Sequence, residues 1–352
     1  MASPGGVQRT RGLVTQSERP VNLLEVMTDV EQRVANGDTE RFRPLPTGFH
    51  PLDDILAGGL RPGELMIIGG AFGVGKTIFS LQTARNVVKS HSTHAALYVC
   101  YEHDPTHLLM RLLSLESAEC CHPQDALTLR KLADLAFEGA NGQGLVSRLR
   151  AMPRYAEMMR QVASYGERLS LIRASGINGT LERIRRWVQE IIESRSERVL
   201  LVIDYLQKVP LEPAAAAAVN EDETTTRLAQ GLKELAMSLE IPVIAIAASD
   251  RAGLKARRMR LADLRGGSAL QYEADIGLVL NNKHEIVSRE HLMFNTMQAE
   301  EMRKWVVMSV EKNRAGVNAV DMEYALDSAH FRLLPDGDLV RERLVDEKVV
   351  LE

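Results

Sequence analysis

The chain has 352 residues, 45% of them hydrophobic and 26% charged, with a formal charge of −4, the balance of an ordinary globular protein of about two domains. That charge excludes a uniformly basic nucleic-acid coat, so any contact with nucleic acid must be local. Cys100 and the adjacent pair Cys120 and Cys121 have neither zinc-ligand spacing nor the density of a secreted disulfide framework, and no apolar run approaches the ~18 residues of a membrane span, which makes a cytoplasmic enzyme the default.

Residues 1–20 mix Gly, Pro, Ser, Thr and Arg without periodicity and read as a flexible tail. Leu23, Met27, Val30 and Val34 then recur at helical spacing, and Asn22 with Glu25 resembles a capping box, so an amphipathic helix is expected over 22–35. Gly37-Asp38-Thr39 ends it, and the Pro-containing run to Pro46 reads as a linker. A helix set off in this way must bury its apolar face on its own domain or on a neighbouring copy.

The central signal is Gly70-Ala71-Phe72-Gly73-Val74-Gly75-Lys76-Thr77, which fits G-x-x-x-x-G-K-[ST]. Gly70, Gly73 and Gly75 let backbone N–H groups turn inward around phosphate oxygens, Lys76 neutralises the β and γ phosphates, and the Thr77 hydroxyl suits Mg²⁺. The apolar run Leu65-Met66-Ile67-Ile68 before it reads as a buried strand, and Ile78, Leu81, Ala84 and Val88 after it recur at helical spacing. The loop therefore sits at a strand-to-helix junction with a helix N-terminus aimed at the anion.

A second apolar strand, Ala95 to Cys100, leads into Tyr101-Glu102-His103. A carboxylate at the carboxyl end of a parallel strand can orient the water that attacks a γ-phosphate, and Glu102 can equally be a solvated surface acid. Residues 105–168 carry a mostly helical pattern broken at Gly139 to Gly144, with Arg148, Arg150, Arg154 and Arg160 on a solvated face. Another amphipathic helix follows on Leu181, Ile184, Val188 and Ile191. Val199 to Ile203 is a buried strand terminated by Asp204, the Walker B arrangement, in which the carboxylate holds the magnesium shell from the strand end.

Pro210 to Glu223 is Ala-rich, acidic and loop-like; Leu228, Leu232, Leu235 and Leu239 make a core-facing helical stripe, and Val243 to Ala248 a strand. Arg251, Lys255, Arg257, Arg258, Arg260 and Arg265 then stand against the single acid Asp263. Such a loop can track a phosphodiester backbone; by themselves the residues favour a plain solvated loop. Ile276 to Leu280 and Trp305 to Val310 read as strands, and the alternation through Val320, Met322, Tyr324 and Leu326 closes a hairpin carrying Lys312 and Arg314 near its tip. Cations there are usually just solvated; delivered to a neighbouring subunit's γ-phosphate they would act as an arginine finger does. Residues 335–352 look like a short acidic appendage.

In this order the signals are recognisable. From about residue 21 to 333 the chain resembles the RecA-like ATPase domain of DnaB-type replicative helicases with its preceding linker helix. The matching stretches are Pro46-Thr47-Gly48-Phe49 with Leu52-Asp53, Gly58 to Gly63, the P-loop, Tyr101-Glu102, Val202 to Gln207, Ile241 to Ile244, Asp263-Leu264-Arg265, Glu273-Ala274-Asp275 and Lys312 to Gly316. The resemblance implies an α/β fold: a RecA-like P-loop NTPase with a mostly parallel central sheet flanked by helices, a C-terminal antiparallel hairpin and an N-terminal linker helix. The expected division is tail 1–20, linker helix and linker 21–46, ATPase domain 47–334 and appendage 335–352.

The resemblance further implies that Glu102 is the catalytic carboxylate, that Lys312 and Arg314 act in trans, that ATP and Mg²⁺ are bound through Gly70, Gly73, Gly75, Lys76, Thr77 and Asp204, and that the helix of residues 22–35 docks on a neighbour in a homo-oligomeric ring, usually a hexamer. Single-stranded DNA is the expected partner, with Arg251, Lys255, Arg257 and Arg258 in the channel; no membrane is involved.

Departures from the family pattern accompany these matches. About 45 residues precede the core, too few for the family's primase-binding domain, which puts primase recruitment through it in doubt. Where the family usually places a Gln at the strand end, Ala248 can make no side-chain hydrogen bond, and Pro213 to Ala218 replaces a basic or polar loop. A non-helicase KaiC- or RadA-like regulatory or scaffold ATPase is therefore the alternative, and a monomeric P-loop kinase a third reading that leaves the Lys312 and Arg314 hairpin without a task.

Overall fold

A computed structural model describes residues 20–138, 142–194, 198–211, 221–250, 253–287 and 300–345. The chain divides into a short unit ending at Arg43 and a large one beginning at Pro44. The short unit holds helix α1 (Leu23–Ala35), for which Asn22 is the N-cap: its side-chain oxygen accepts from the Glu25 N–H at 3.0 Å, and its amide donates to the Glu25 carboxylate at 2.7 Å.

The large unit is built on one sheet. In chain order it contains helix α2 (Leu52–Ile55), strand β1 (Leu65–Gly70), helix α3 (Lys76–Ser90), strand β2 (His94–Cys100), helices α4 (Pro105–Cys120), α5 (Leu129–Glu138), α6 (Leu145–Ala151) and α7 (Ala156–Tyr165), and strand β3 (Leu169–Arg173). There follow helix α8 (Leu181–Ser194), strand β4 (Arg198–Asp204), helix α9 (Glu221–Leu239), strand β5 (Val243–Ile246), helix α10 (Gly267–Glu273), strand β6 (Ile276–Asn282), helix α11 (Lys283–Ile286), and strands β7 (Trp305–Asn313), β8 (Val320–Asp327), β9 (Arg332–Leu333) and β10 (Asp338–Leu339). Among the described residues the strand order is β10-β8-β7-β6-β1-β5-β4-β2-β3, with β9 also on β8. The stretch from β6 to β3 is parallel; β7, β8, β9 and β10 run antiparallel.

The central strands are apolar on both sides because helices cover both faces. Met66 and Ile68 of β1 and Leu200 and Val202 of β4 enter one core with Phe49, Phe79, Tyr98 and Tyr324. Their neighbours Leu65, Ile67, Val199, Leu201 and Ile203 enter the opposite core with Ile184, Val188, Leu228 and Leu232, as the two-residue period of a strand requires. Helices α4 to α7 close a smaller core on Leu113, Leu132, Leu149, Tyr155 and Met158. No helix among the described residues is long and apolar enough to cross a membrane.

Two expectations need correction, and one strand stands where no element was expected. Strand β3, an edge strand paired with β2 along Leu169 to Arg173, lies between the helical pattern of 105–168 and the helix on Leu181 to Ile191, and Leu-Ser-Leu-Ile-Arg is too short to display a period. The core begins before Thr47: Leu45 is buried and exchanges backbone hydrogen bonds with Leu60 at 2.7 and 2.8 Å. Residues 335–345 are not an appendage, since β10 pairs with β8, Leu344 bridges Val287, and Glu342 meets Lys283 at 2.8 Å; residues 346–352 lie outside the described residues, as does Pro213 to Ala218.

Candidate active site

All of the phosphate-binding residues named from the sequence lie at the carboxyl ends of the parallel strands, where open α/β sheets bind ligands. The P-loop leaves β1 at Gly70, whose positive φ of 146° is matched by close packing: a Cβ there would lie 2.5 Å from the Leu280 carbonyl oxygen. Gly75, at φ 101°, caps α3 in the left-handed conformation, so no side chain stands between an incoming anion and the helix N-terminus.

Lys76 is folded back into this loop, its Nζ donating to the Gly70 and Ala71 carbonyls at 2.8 and 2.7 Å. Burial pushes its pKa down to about 8, against the opposing pull of Asp204 and Glu102. A half-buried ammonium held by carbonyl dipoles is poised for a stronger acceptor, and a phosphate group fits it.

Asp204 ends β4 in register with Cys100 of β2 and is 2% exposed. Burial raises its pKa, while hydrogen bonds from Tyr98 and Thr77 oppose the rise. The Thr77 hydroxyl donates to Asp204 Oδ2 at 3.0 Å and the Tyr98 phenol donates to the same oxygen at 2.9 Å. Both bonds land on Oδ2, leaving Oδ1 and the Thr77 oxygen lone pairs for another ligand. Two hard oxygens at the mouth of a phosphate loop suit Mg²⁺, which keeps most of its own waters. Glu102, two residues beyond the end of β2, is exposed at the same rim and acts electrostatically on both Lys76 and Asp204.

Lys312 and Arg314 are elsewhere. Lys312 pairs with Gly277 of β6, which pairs with Ile67 of β1, while the Arg314 N–H bonds the Asp275 carbonyl at 2.9 Å and the Leu65 N–H bonds the Asp275 carboxylate. Arg314 is therefore anchored level with the start of β1, ~16 Å along the strand from Gly70 and two strands across, at about 3.3 Å per residue. Its guanidinium bonds Asp275 at 3.2 Å and the Tyr272 carbonyl at 2.6 Å, and Lys312 donates to the Gln271 and Tyr272 carbonyls at the end of α10. Neither cation reaches its own P-loop.

The basic segment divides. Arg251 lies outside the described residues, and Lys255 is exposed. Arg257 is half-buried and bonds the Glu285 and Val287 carbonyls at 3.2 and 2.9 Å. The expectation that Arg258 lines a DNA channel is corrected: its side chain is 4% exposed and meets Asp321 at 2.5 Å and Ser309 at 3.1 Å, against β7 and β8. A guanidinium closed into a carboxylate pair inside the fold is not offered to a phosphodiester. Consecutive basic residues on an irregular segment face opposite ways, which a charge count ignores.

Sequence reasoning assigned no role to Tyr98, Gln207 or Asp275. Tyr98 was legible in principle, since a tyrosine inside a wholly buried strand must find a partner for its hydroxyl. Gln207 accepts the Ala248 N–H at 3.0 Å and donates to the Arg265 carbonyl at 3.3 Å. It thereby joins the Asp204 strand to both ends of the basic segment, beside the alanine that lacks a hydrogen-bonding side chain.

Comparison with known proteins agrees with this architecture. Residues 44–332 match the family model of the DnaB-like helicase C terminal domain. The chain is 26% identical over 256 residues to the replicative DNA helicase DnaB of Geobacillus stearothermophilus, covering 72% of this chain and 50% of that one. It is 28% identical over 292 residues to the replicative DNA helicase DnaB of Mycoplasma genitalium, covering 82% and 56%. The chain thus spans about half the length of the curated relatives it matches. Among solved structures, an isolated ATPase domain superposes with a TM-score of 0.67 at 19% identity, covering 90% of this chain and 99% of that one. A DnaB-like replicative helicase, solved in a study of its interactions with primase, superposes at 0.63 and 19%, covering 90% and 67%.

Proposed function

The chain belongs to the family of DnaB-like helicase C-terminal domains, and on that premise we propose that it is a Mg²⁺-dependent ATPase that assembles into a homo-oligomeric ring, a hexamer, and moves on single-stranded DNA. The observation that carries the proposal is the separation of the two halves of the site. Lys76, Thr77, Asp204 and Glu102 converge at the carboxyl ends of the strands, while Arg314 is anchored level with the other end of β1 and Lys312 is bound to the carbonyls at the end of α10. Cations that cannot reach their own phosphates make sense when a second copy supplies the nucleotide.

In this reading the P-loop N–H groups and Lys76 hold the β and γ phosphates, and Thr77 and Asp204 hold Mg²⁺. Held by those two oxygens, a bound Mg²⁺ would supply electrostatic neutralisation of charge developing on the phosphates. Glu102 orients a water and takes its proton as the oxygen attacks the γ phosphorus, and the bond to the β–γ bridging oxygen breaks toward ADP. Lys312 and Arg314 of the adjacent copy stabilise the transferring phosphoryl group. Helix α1 brings Leu23, Met27, Val30 and Val34, none of them buried within their own unit, and these dock on a neighbour. Lys255, with Arg251 and Arg257, tracks the DNA backbone.

ATP hydrolysis measured with and without single-stranded DNA, together with unwinding of a forked duplex, tests this reading. Stimulation by DNA and ATP-dependent unwinding are expected. Turnover indifferent to DNA, with no strand separation, would replace the translocase by a regulatory ATPase whose nucleotide state controls assembly.

A further inference from the structure

We propose that Tyr98 is a positioning residue for the metal site: its hydroxyl fixes the Asp204 carboxylate so that one oxygen is committed inside the fold and the other faces Mg²⁺. The inference rests on Asp204 being the magnesium carboxylate.

Tyr98 lies in β2 between Leu97 and Val99, and its ring is fully buried in the core with Phe49, Phe79 and Tyr324. A phenylalanine would fill that space without needing a polar partner. The hydroxyl instead ends between two elements that the site requires to be in register. It lies 2.9 Å from Ser80 Oγ on α3 and donates to Asp204 Oδ2 of β4 at 2.9 Å. Ser80 is one turn beyond Thr77; its one hydroxyl proton serves either the phenol oxygen or the Thr77 carbonyl at 3.2 Å, and Thr77 itself donates to the same Asp204 oxygen.

The result is a closed set of hydrogen bonds linking the P-loop helix, the Asp204 strand and the strand that leads to Glu102. Asp204 is 2% exposed, so little water is available to replace a lost partner. Without the phenol, Oδ2 keeps only the Thr77 hydroxyl, and the carboxylate gains freedom to rotate or to draw Thr77 away from the cation. Groups that orient a metal ligand in this way typically tune metal affinity by roughly 10- to 100-fold.

The test is Tyr98→Phe, read by binding of a fluorescent ADP analogue and by thermal unfolding with ADP, each across a Mg²⁺ titration and in EDTA. Expected are unchanged nucleotide binding in EDTA and a half-saturating Mg²⁺ concentration raised about tenfold. A packing role alone would lower the unfolding temperature without moving the Mg²⁺ midpoint, and that outcome overturns the proposal. Asp204→Asn run alongside separates the two ideas. If it abolishes the Mg²⁺ effect while Tyr98→Phe does nothing, only the positioning role fails; if it too leaves the Mg²⁺ midpoint in place, the reading of Asp204 fails and takes the positioning role with it. Should Tyr98→Phe not fold, Ser80→Ala removes the hydroxyl that orients the phenol, and a smaller shift of the midpoint in the same direction is expected; no shift counts against the proposal.

Discussion

The parallel and antiparallel halves of the sheet handle charge in opposite ways. At the carboxyl ends of the parallel strands, Thr77 and Tyr98 satisfy Asp204 across α3, β2 and β4, and the Gly70 and Ala71 carbonyls satisfy Lys76. Around the antiparallel strands, cations are tethered instead: Lys312 and Arg314 to helix-end carbonyls and Asp275, Arg258 to Asp321, Arg257 to the Glu285 and Val287 carbonyls. One half is a preorganised candidate for a phosphate and metal site within a single chain. The other stores positive charge which, on the proposed reading, is used by a neighbouring copy. Preorganised groups cost no rearrangement at the moment of reaction, whereas tethered ones must leave a partner and can therefore report what has arrived.

The comparison breaks most visibly at Arg314. Arg314→Ala should lower turnover about a thousandfold, the scale of an arginine finger, while nucleotide binding stays near wild type in a fluorescence titration. Mixing it with Lys76→Ala should restore part of the activity, because each variant spoils a different half of a shared site. Normal hydrolysis by Arg314→Ala would return the antiparallel half to a purely structural role.

Arg258 sharpens the same contrast from within that half. Arg258→Ala should cost about 3 kcal/mol in denaturant unfolding, the scale for removing one member of a buried pair and leaving Asp321 without its cation. The salt dependence of DNA binding should stay unchanged. A stable Arg258→Ala variant with weakened DNA binding would put the side chain back in the channel.

On the parallel side, Lys76 predicts a pH dependence. In the nucleotide-free protein burial holds its pKa to about 8, and a bound phosphate restores the charge, so binding takes up a proton. Affinity for ATP should then fall about tenfold between pH 7 and pH 9, one decade per unit above the free-state pKa. Calorimetric titration in buffers of different ionisation heat checks both the loss and the proton uptake. A flat profile would mean that Lys76 stays charged throughout. The smallest effect is expected at Lys255, where Lys255→Ala should weaken single-stranded DNA binding about threefold and reduce the salt slope by about one.

Much of the parallel half was legible along the chain. The P-loop, Glu102 and Asp204 each end or follow an apolar run whose length and context identify a strand, and the strand ends of a parallel sheet fall together. The hairpin of β7 and β8 was equally readable from its alternation, down to the two cations at its turn. Edge strand β3 and the pairing of β10 were not, since two to five residues carry no period, and the partner of β3 lies far away in sequence. The basic segment misled at Arg258 because burial there is decided by Ser309 and Asp321 of β7 and β8.

The amino-acid sequence by itself determined the local chemistry: which glycines free the backbone to turn around an anion, which carboxylates stand at strand ends, and which cations sit on a hairpin. Those are local facts, set by glycine's backbone freedom and by apolar period. Only the tertiary structure decided partnership. That Tyr98 and Thr77 share one oxygen of Asp204, that Gln207 bridges the ends of the basic segment, and that Arg314 is anchored ~16 Å along the sheet from its own P-loop are consequences of strand order and register. Strand order depends on which surfaces pack best across the whole core, and no short window of residues contains that information.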